Sequence, residues 1–155
     1  MKKIAQFVFA RQMLILVGLA TSLAGCQTFG LGTSSVLVST DHAQVSAAAA
    51  AVIAEDLVGR LAEVVGPGTG TVSLQPDDSA FALALETSLR DWGYAVAVDQ
   101  KTDSETIIPV AYVIDAFEGS VLARLSTNTV DLGRAYSLTE TGATPVSPLS
   151  VLQRS

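Results

Sequence analysis

The residue best placed for covalent chemistry is Cys26, the sole cysteine of the chain. It ends the run Leu23-Ala24-Gly25-Cys26, with small residues at the two preceding positions and leucine three before it. That spacing is a lipobox. The thiol takes a diacylglyceryl group, the chain is cut before the cysteine, and the new amino group is acylated in turn. Buried acyl chains contribute about 0.8 kcal/mol per CH2, and a single chain holds only marginally. Two or three chains on one residue therefore make a lasting anchor, and palmitate is a natural label for it. Without lipidation, an ordinary secretory signal cut near Ala24 would leave a free thiol, which is unusual in an oxidising compartment.

The residues before Cys26 fit that chemistry. Lys2, Lys3 and Arg11 make a basic start, and an apolar run follows from Met13 to Leu19. Signal peptides have this layout and are removed rather than folded. The run is too short to remain as a membrane-spanning helix. Gln27 follows the cysteine. In lipoproteins of this type an Asp there favours inner-membrane retention, so Gln27 points to the outer membrane, facing the periplasm.

Elsewhere the side chains offer little chemistry. His42 is the only histidine and reads as a solvated surface residue, with no serine or cysteine partner to build a triad. Gly66-Pro67-Gly68-Thr69-Gly70-Thr71 looks like a phosphate loop, but it lies between a helix and a strand, the reverse of the needed order, and lacks a lysine. Asp77 and Asp78 are adjacent carboxylates best explained as helix caps. Asp99, Asp103 and Glu105 are spaced too loosely for an EF-hand and read as a solvated loop. No catalytic residue, metal site, cofactor or small-molecule substrate is expected; an enzyme would need a deep cleft with converging polar groups.

Removing 25 residues from a chain of 155 leaves 130, enough for one domain and too few for two. The leader takes three basic residues with it, so the net charge of −6 becomes −9 in the mature chain. An acidic surface with no basic stripe repels phosphates, so direct nucleic acid binding is not expected.

The elements follow from periodicity. Residues 26–40 read as a Gly-, Ser- and Thr-rich tether, with a possible short strand at Val36 to Val38. Residues 41–65 read as a helix capped by Thr40 or Asp41, with Gln44 three positions after Asp41. Its apolar stripe is Ala50, Ile53, Leu57, Leu61 and Val64, with Asp56, Arg60 and Glu63 opposite. Residues 71–75 read as a strand. Asp77 or Asp78 then caps a second helix that buries Phe81, Leu85, Leu89 and Trp92, leaves Leu83 facing away, and stops at Gly93. Tyr94 to Asp99 reads as a strand, completing a β-α-β unit. Three more strands, 107–117, 121–125 and 130–138, form an antiparallel meander, with Pro109 marking an edge or bulge. Residues 41–140 thus make one α+β domain of two layers, two helices on a mixed, mainly antiparallel sheet. Residues 141–155, with Pro145 and Pro148, read as a flexible tail.

The block Pro76-Asp77-Asp78-Ser79-Ala80-Phe81, then Leu85, Leu89-Arg90 and Gly93-Tyr94-Ala95-Val96, carries a resemblance. With the lipobox, the length and the alanine-rich first helix, the chain resembles the TrbH family of conjugal transfer lipoproteins. The resemblance implies an accessory or assembly role in a conjugative type IV secretion system, the mating-pair-formation machinery, through contacts with other envelope proteins of that system. It carries over no catalytic residue and offers no pattern for the Pro-containing tail. Read from the residues alone, a tethered regulator of cell-envelope or peptidoglycan synthesis would fit as well.

Overall fold

The computed structural model describes residues 37–100 and 106–154, which fall in one compact unit. The chain enters through a two-residue strand, β1 (Thr40–Asp41), paired in parallel with Val113 and Ile114. No strand forms at residues 37–38. The helix expected from residue 41 begins later, as α1 (Ala47–Val65), with Ser46 as its N-cap. The delay has a local cause. The Asp41 carboxylate accepts the Gln44 N–H at 2.7 Å, and Gln44 takes a positive φ of 50°. A side chain that bonds a nearby backbone N–H competes with helix formation. The Ser46 hydroxyl then accepts the Ala49 N–H and starts the helix. Gly66, at φ 91°, ends it.

Ala50, Ile53, Leu57 and Leu61 are fully buried along α1, as the stripe requires, but Val64 is exposed in the last turn. Each large apolar side chain buried in this way contributes about 1.5–3 kcal/mol. Asp56 does not face solvent freely as expected. Arg134 donates to both of its oxygens, at 3.2 and 3.0 Å, and Tyr136 donates to one at 2.7 Å.

After β2 (Thr71–Leu74), the second helix is α2 (Ala80–Asp91). Its cap is Ser79, whose hydroxyl accepts the Ala82 N–H at 3.1 Å, and not Asp77 or Asp78. Phe81, Leu85 and Leu89 are buried, and Phe81 packs edge-on against Tyr112 with ring centroids 4.9 Å apart. Gly93 closes the helix at φ 87°. The Gly93 N–H bonds Arg90 O and the Tyr94 N–H bonds Leu89 O, the paired bonds of a Schellman ending. Trp92 leaves the stripe at this turn and is 40% exposed, not core. Its ring lies across Gly59 of α1, where a Cβ would come within 3.3 Å of it.

The sheet is mixed. β3 (Ala95–Val98) pairs in parallel with β2, and β2 pairs in parallel with the start of β4 (Ile107–Phe117). β5 (Ser120–Ser126) and β6 (Val130–Thr139) continue from β4 as the expected antiparallel meander. Glu118 and Gly119, both at positive φ, make the two-residue hairpin turn between β4 and β5. Along β5, buried Val121, Ala123 and Leu125 alternate with exposed Leu122 and Arg124. Pro109 does not place β4 at an edge, because β4 is central in the strand order. Pro109 sits opposite Ser73 in the segment paired with β2, while the ladder to β5 begins at Ala111.

The tail expected over 141–155 forms two strands, β7 (Gly142–Pro145) and β8 (Ser150–Gln153), both antiparallel to β6. They act as one edge strand broken at residues 146–149. Pro145 ends β7 and Pro148 lies in the break, places where a missing N–H does not interrupt a central ladder. The Ser147 hydroxyl accepts the Ala135 N–H across the break, and Arg134 donates to Ser147 O.

A candidate interaction surface between the two helices

Leu23, Ala24, Gly25 and Cys26 lie outside the described residues, as do Asp103 and Glu105. No helix among the described residues is long and apolar enough to cross a membrane. Among them, too, no group of three or more His, Cys, Asp or Glu is placed to hold a metal ion.

The other residues singled out by sequence are held by structure. His42 is exposed, and its Nδ1 lies 2.7 Å from Asp115 Oδ1, tying β1 to the rim of β4. Nothing in the sequence spacing marks that pair. The glycine-rich run is a helix-to-strand turn, with Gly66 and Gly68 at positive φ. Tyr94 donates its hydroxyl to Gly66 O at 2.5 Å and fixes the turn from below. Asp99 sits at φ 50° after β3, with its N–H on Leu74 O.

Asp77 is a junction. Its carboxylate accepts the Asp41 N–H at 2.7 Å, the Ser79 N–H at 3.2 Å and the Tyr112 hydroxyl. Burial works against its charge, but the hydrogen bonds from Ser79, Tyr112 and Asp41 outweigh it and hold the carboxyl below its ordinary range. Burial first, and then the bond to Asp77, push the Tyr112 hydroxyl up to about 12. Asp77 therefore joins β1, the start of α2 and β4. One oxygen of the neighbouring Asp41 carboxylate is buried with no hydrogen-bond donor among the described residues.

Two hollows meet at Ala80. One, of about 500 Å³, is an open trough between α1 and α2, with Ala47 and Ala51 on one wall and Ala84 and Thr87 on the other. Leu83, at 69% exposed, stands at its rim, and half-exposed Trp92 closes its far end. The smaller hollow, of about 370 Å³, is lined by Asp41, Asp77 and Asp78. Every charged residue lining either hollow is acidic. The exposure of Leu83 is what its place off the apolar stripe of α2 predicts. The trough has no signature in sequence, because the pairing of two helices, not the pattern of either, creates it.

Comparison with known proteins gives two matches. The family model described as conjugal transfer protein TrbH matches residues 31–155. A protein of Sinorhizobium fredii (strain NBRC 101917 / NGR234), named "Probable conjugal transfer protein TrbH", is 44% identical over 151 residues, covering 93% of this chain and 99% of that protein. No solved structure matches.

Proposed function

Because the chain belongs to the TrbH family of conjugal transfer proteins, we propose that it serves conjugation as a lipid-anchored accessory of the mating-pair-formation machinery, acting through protein contacts. Its place as a component of a conjugative transfer system follows from the family. The finer reading rests on the lipobox at Cys26 and on the character of the domain. The 44% identity extends over 93% of the chain, so the likeness reaches beyond any single motif.

Physical arguments support the reading. Acyl chains on Cys26 would confine the domain to a membrane surface and raise its effective concentration towards partners there. The leader would be lost, and the outer membrane, facing the periplasm, is the location Gln27 favours. The charged side chains of the described region mostly serve the fold. Asp56 meets Arg134, Glu86 meets Arg90, and Asp131 meets Arg154. What remains on the described surface is shape, apolar side chains and mainly negative charge, with Arg124 the exception, and this suits recognition of other proteins.

The test is genetic. A clean deletion should lower plasmid transfer between cells, and the wild-type gene should restore it. Transfer at the wild-type rate from the deletion strain would overturn the proposal. Cys26→Ser should abolish incorporation of labelled palmitate into the chain and reduce transfer.

A further inference from the structure

We infer that the trough between α1 and α2 is the docking site for an amphipathic segment of a partner protein, with apolar residues along one face and lysine or arginine beside them. The inference rests on the reading of this chain as a component that works through protein contacts, and it names the chemistry of the contact.

The occupant follows from the walls. The walls carry small side chains, Ala47 and Ala51 on one side and Ala80 and Ala84 on the other, which let another backbone or an apolar side chain approach closely. Leu83 and Trp92 supply exposed apolar surface at the rim and the end. A helix laid in such a groove would present apolar residues three and four apart. Glu55 and Asp91 flank the trough, and neither has an ion-pair partner among the described residues. Nearby arginines are committed elsewhere, Arg60 to Glu63 and Arg90 to Glu86. In the smaller hollow, which meets the trough at Ala80, Asp41 is nine-tenths buried, yet one of its carboxylate oxygens has no hydrogen-bond donor among the described residues. A buried acceptor left without a partner is costly, and an arriving ammonium or guanidinium group would relieve it.

Charge also excludes other occupants. A second copy of this chain would bring acid against acid, since the mature sequence keeps six basic residues against fifteen acidic ones. Residues 27–40 contain no charged residue, so the chain's own tether cannot satisfy the walls. Anionic lipid headgroups and nucleic acid are repelled.

The experiment places a photoreactive benzoylphenylalanine at Leu83, and separately at Thr87, in the full chain within conjugating cells. Both positions are exposed, so the fold tolerates the probe. After irradiation, the crosslinked peptide is identified by mass spectrometry. The expected product is a segment of another protein with an apolar face and at least two lysines or arginines. Its yield should fall about tenfold or more when Glu55→Lys and Asp91→Lys are combined, a loss of about 1.4 kcal/mol or more. Thermal melting of the variant checks that it still folds. A product joined to a second copy, to residues 1–40 of the same chain, or to lipid would overturn the inference. So would a partner segment without basic residues, a yield unchanged by charge reversal, or no product from either position. The wider proposal is judged apart: if the deletion abolishes transfer while the charge-reversed variant transfers normally, the accessory role stands and the trough does not.

Discussion

At the scale of single residues, Asp77 does more for the fold than its place in an acidic dipeptide suggests. It holds the β1 backbone, the entry to α2 and the Tyr112 hydroxyl at one carboxylate. Its pKa is depressed in the folded state, below the ordinary 3.8, despite the opposing effect of burial. A depressed carboxyl stabilises the fold above its unfolded pKa, and that contribution is lost as pH falls through its folded value. Asp131 behaves in the same sense: burial again opposes ionisation, and hydrogen bonding and the charge of Arg154 prevail. Stability should therefore decline below about pH 4. Asp77→Asn should cost about 1–2 kcal/mol at pH 7 and clearly less at pH 3, read from denaturant melts. An equal cost at both values would show that the charge is not what matters. Sequence made Asp77 a helix cap because Asp at a helix start has that role. Its bond to Tyr112, 35 residues away, has no local signature. The Asp56 contact with Arg134 and Tyr136 was hidden for the same reason. The lipobox proposed at Cys26 is the opposite case, since such a signal would be read along the chain and would need no fold to display it.

At the scale of elements, the clearest sequence signals were those in which periodicity and punctuation agree. The meander of β4, β5 and β6 lies where alternation and the Glu118-Gly119 turn put it. The end of α2 at Gly93 was legible because a left-handed ending requires a residue without a Cβ. Gly93→Ala should lower stability by about 1–2 kcal/mol, the cost of a left-handed backbone for an ordinary residue. Crowding adds little there, since a Cβ would meet Gly68 Cα at 3.8 Å, an ordinary contact. A thermal melt checks the value, and an unchanged midpoint would mean that the turn relaxes. The start of α1 is ambiguous in sequence because several residues before Ala47 can cap a helix. The choice fell to the pairing of Thr40 and Asp41 with Val113 and Ile114, a contact distant in sequence. Trp92 continues the helical spacing of Phe81, Leu85 and Leu89 but falls one residue past the helix end, where the chain turns it out of the core.

At the scale of the whole molecule, the sheet is completed by its C-terminal residues, which the sequence pattern gives no means to place. β7 pairs with Tyr136–Thr139 and β8 with Val130–Gly133, but their registers differ by two residues across the break at 146–149. That slip hides the single strand they make, and all four residues of β8 are exposed, so no buried alternation shows. The segment is nonetheless tied down. Leu149 and Ala143 pack on the core, and a Cβ at Gly142 would sit 3.2 Å from Val52 of α1. At the end, Arg154 donates twice to Asp131, at 2.8 and 2.7 Å, while its N–H bonds Thr129 O. Two truncations separate these contributions. Removing Arg154 and Ser155 deletes one partly exposed ion pair and one backbone hydrogen bond to Thr129 and should cost about 1–2 kcal/mol. Removing residues 142–155 deletes the edge ladder and the cover over α1, and should cost several times more, lowering the melting midpoint by roughly 10 °C or more. If residues 141–155 were a loose tail, both truncations would melt like the intact chain. Because α1 lies against β7, the longer truncation would also unseat one wall of the trough between the helices. Its crosslinking yield at Leu83 should then fall even below its unfolding temperature, whereas the shorter truncation should leave that yield intact.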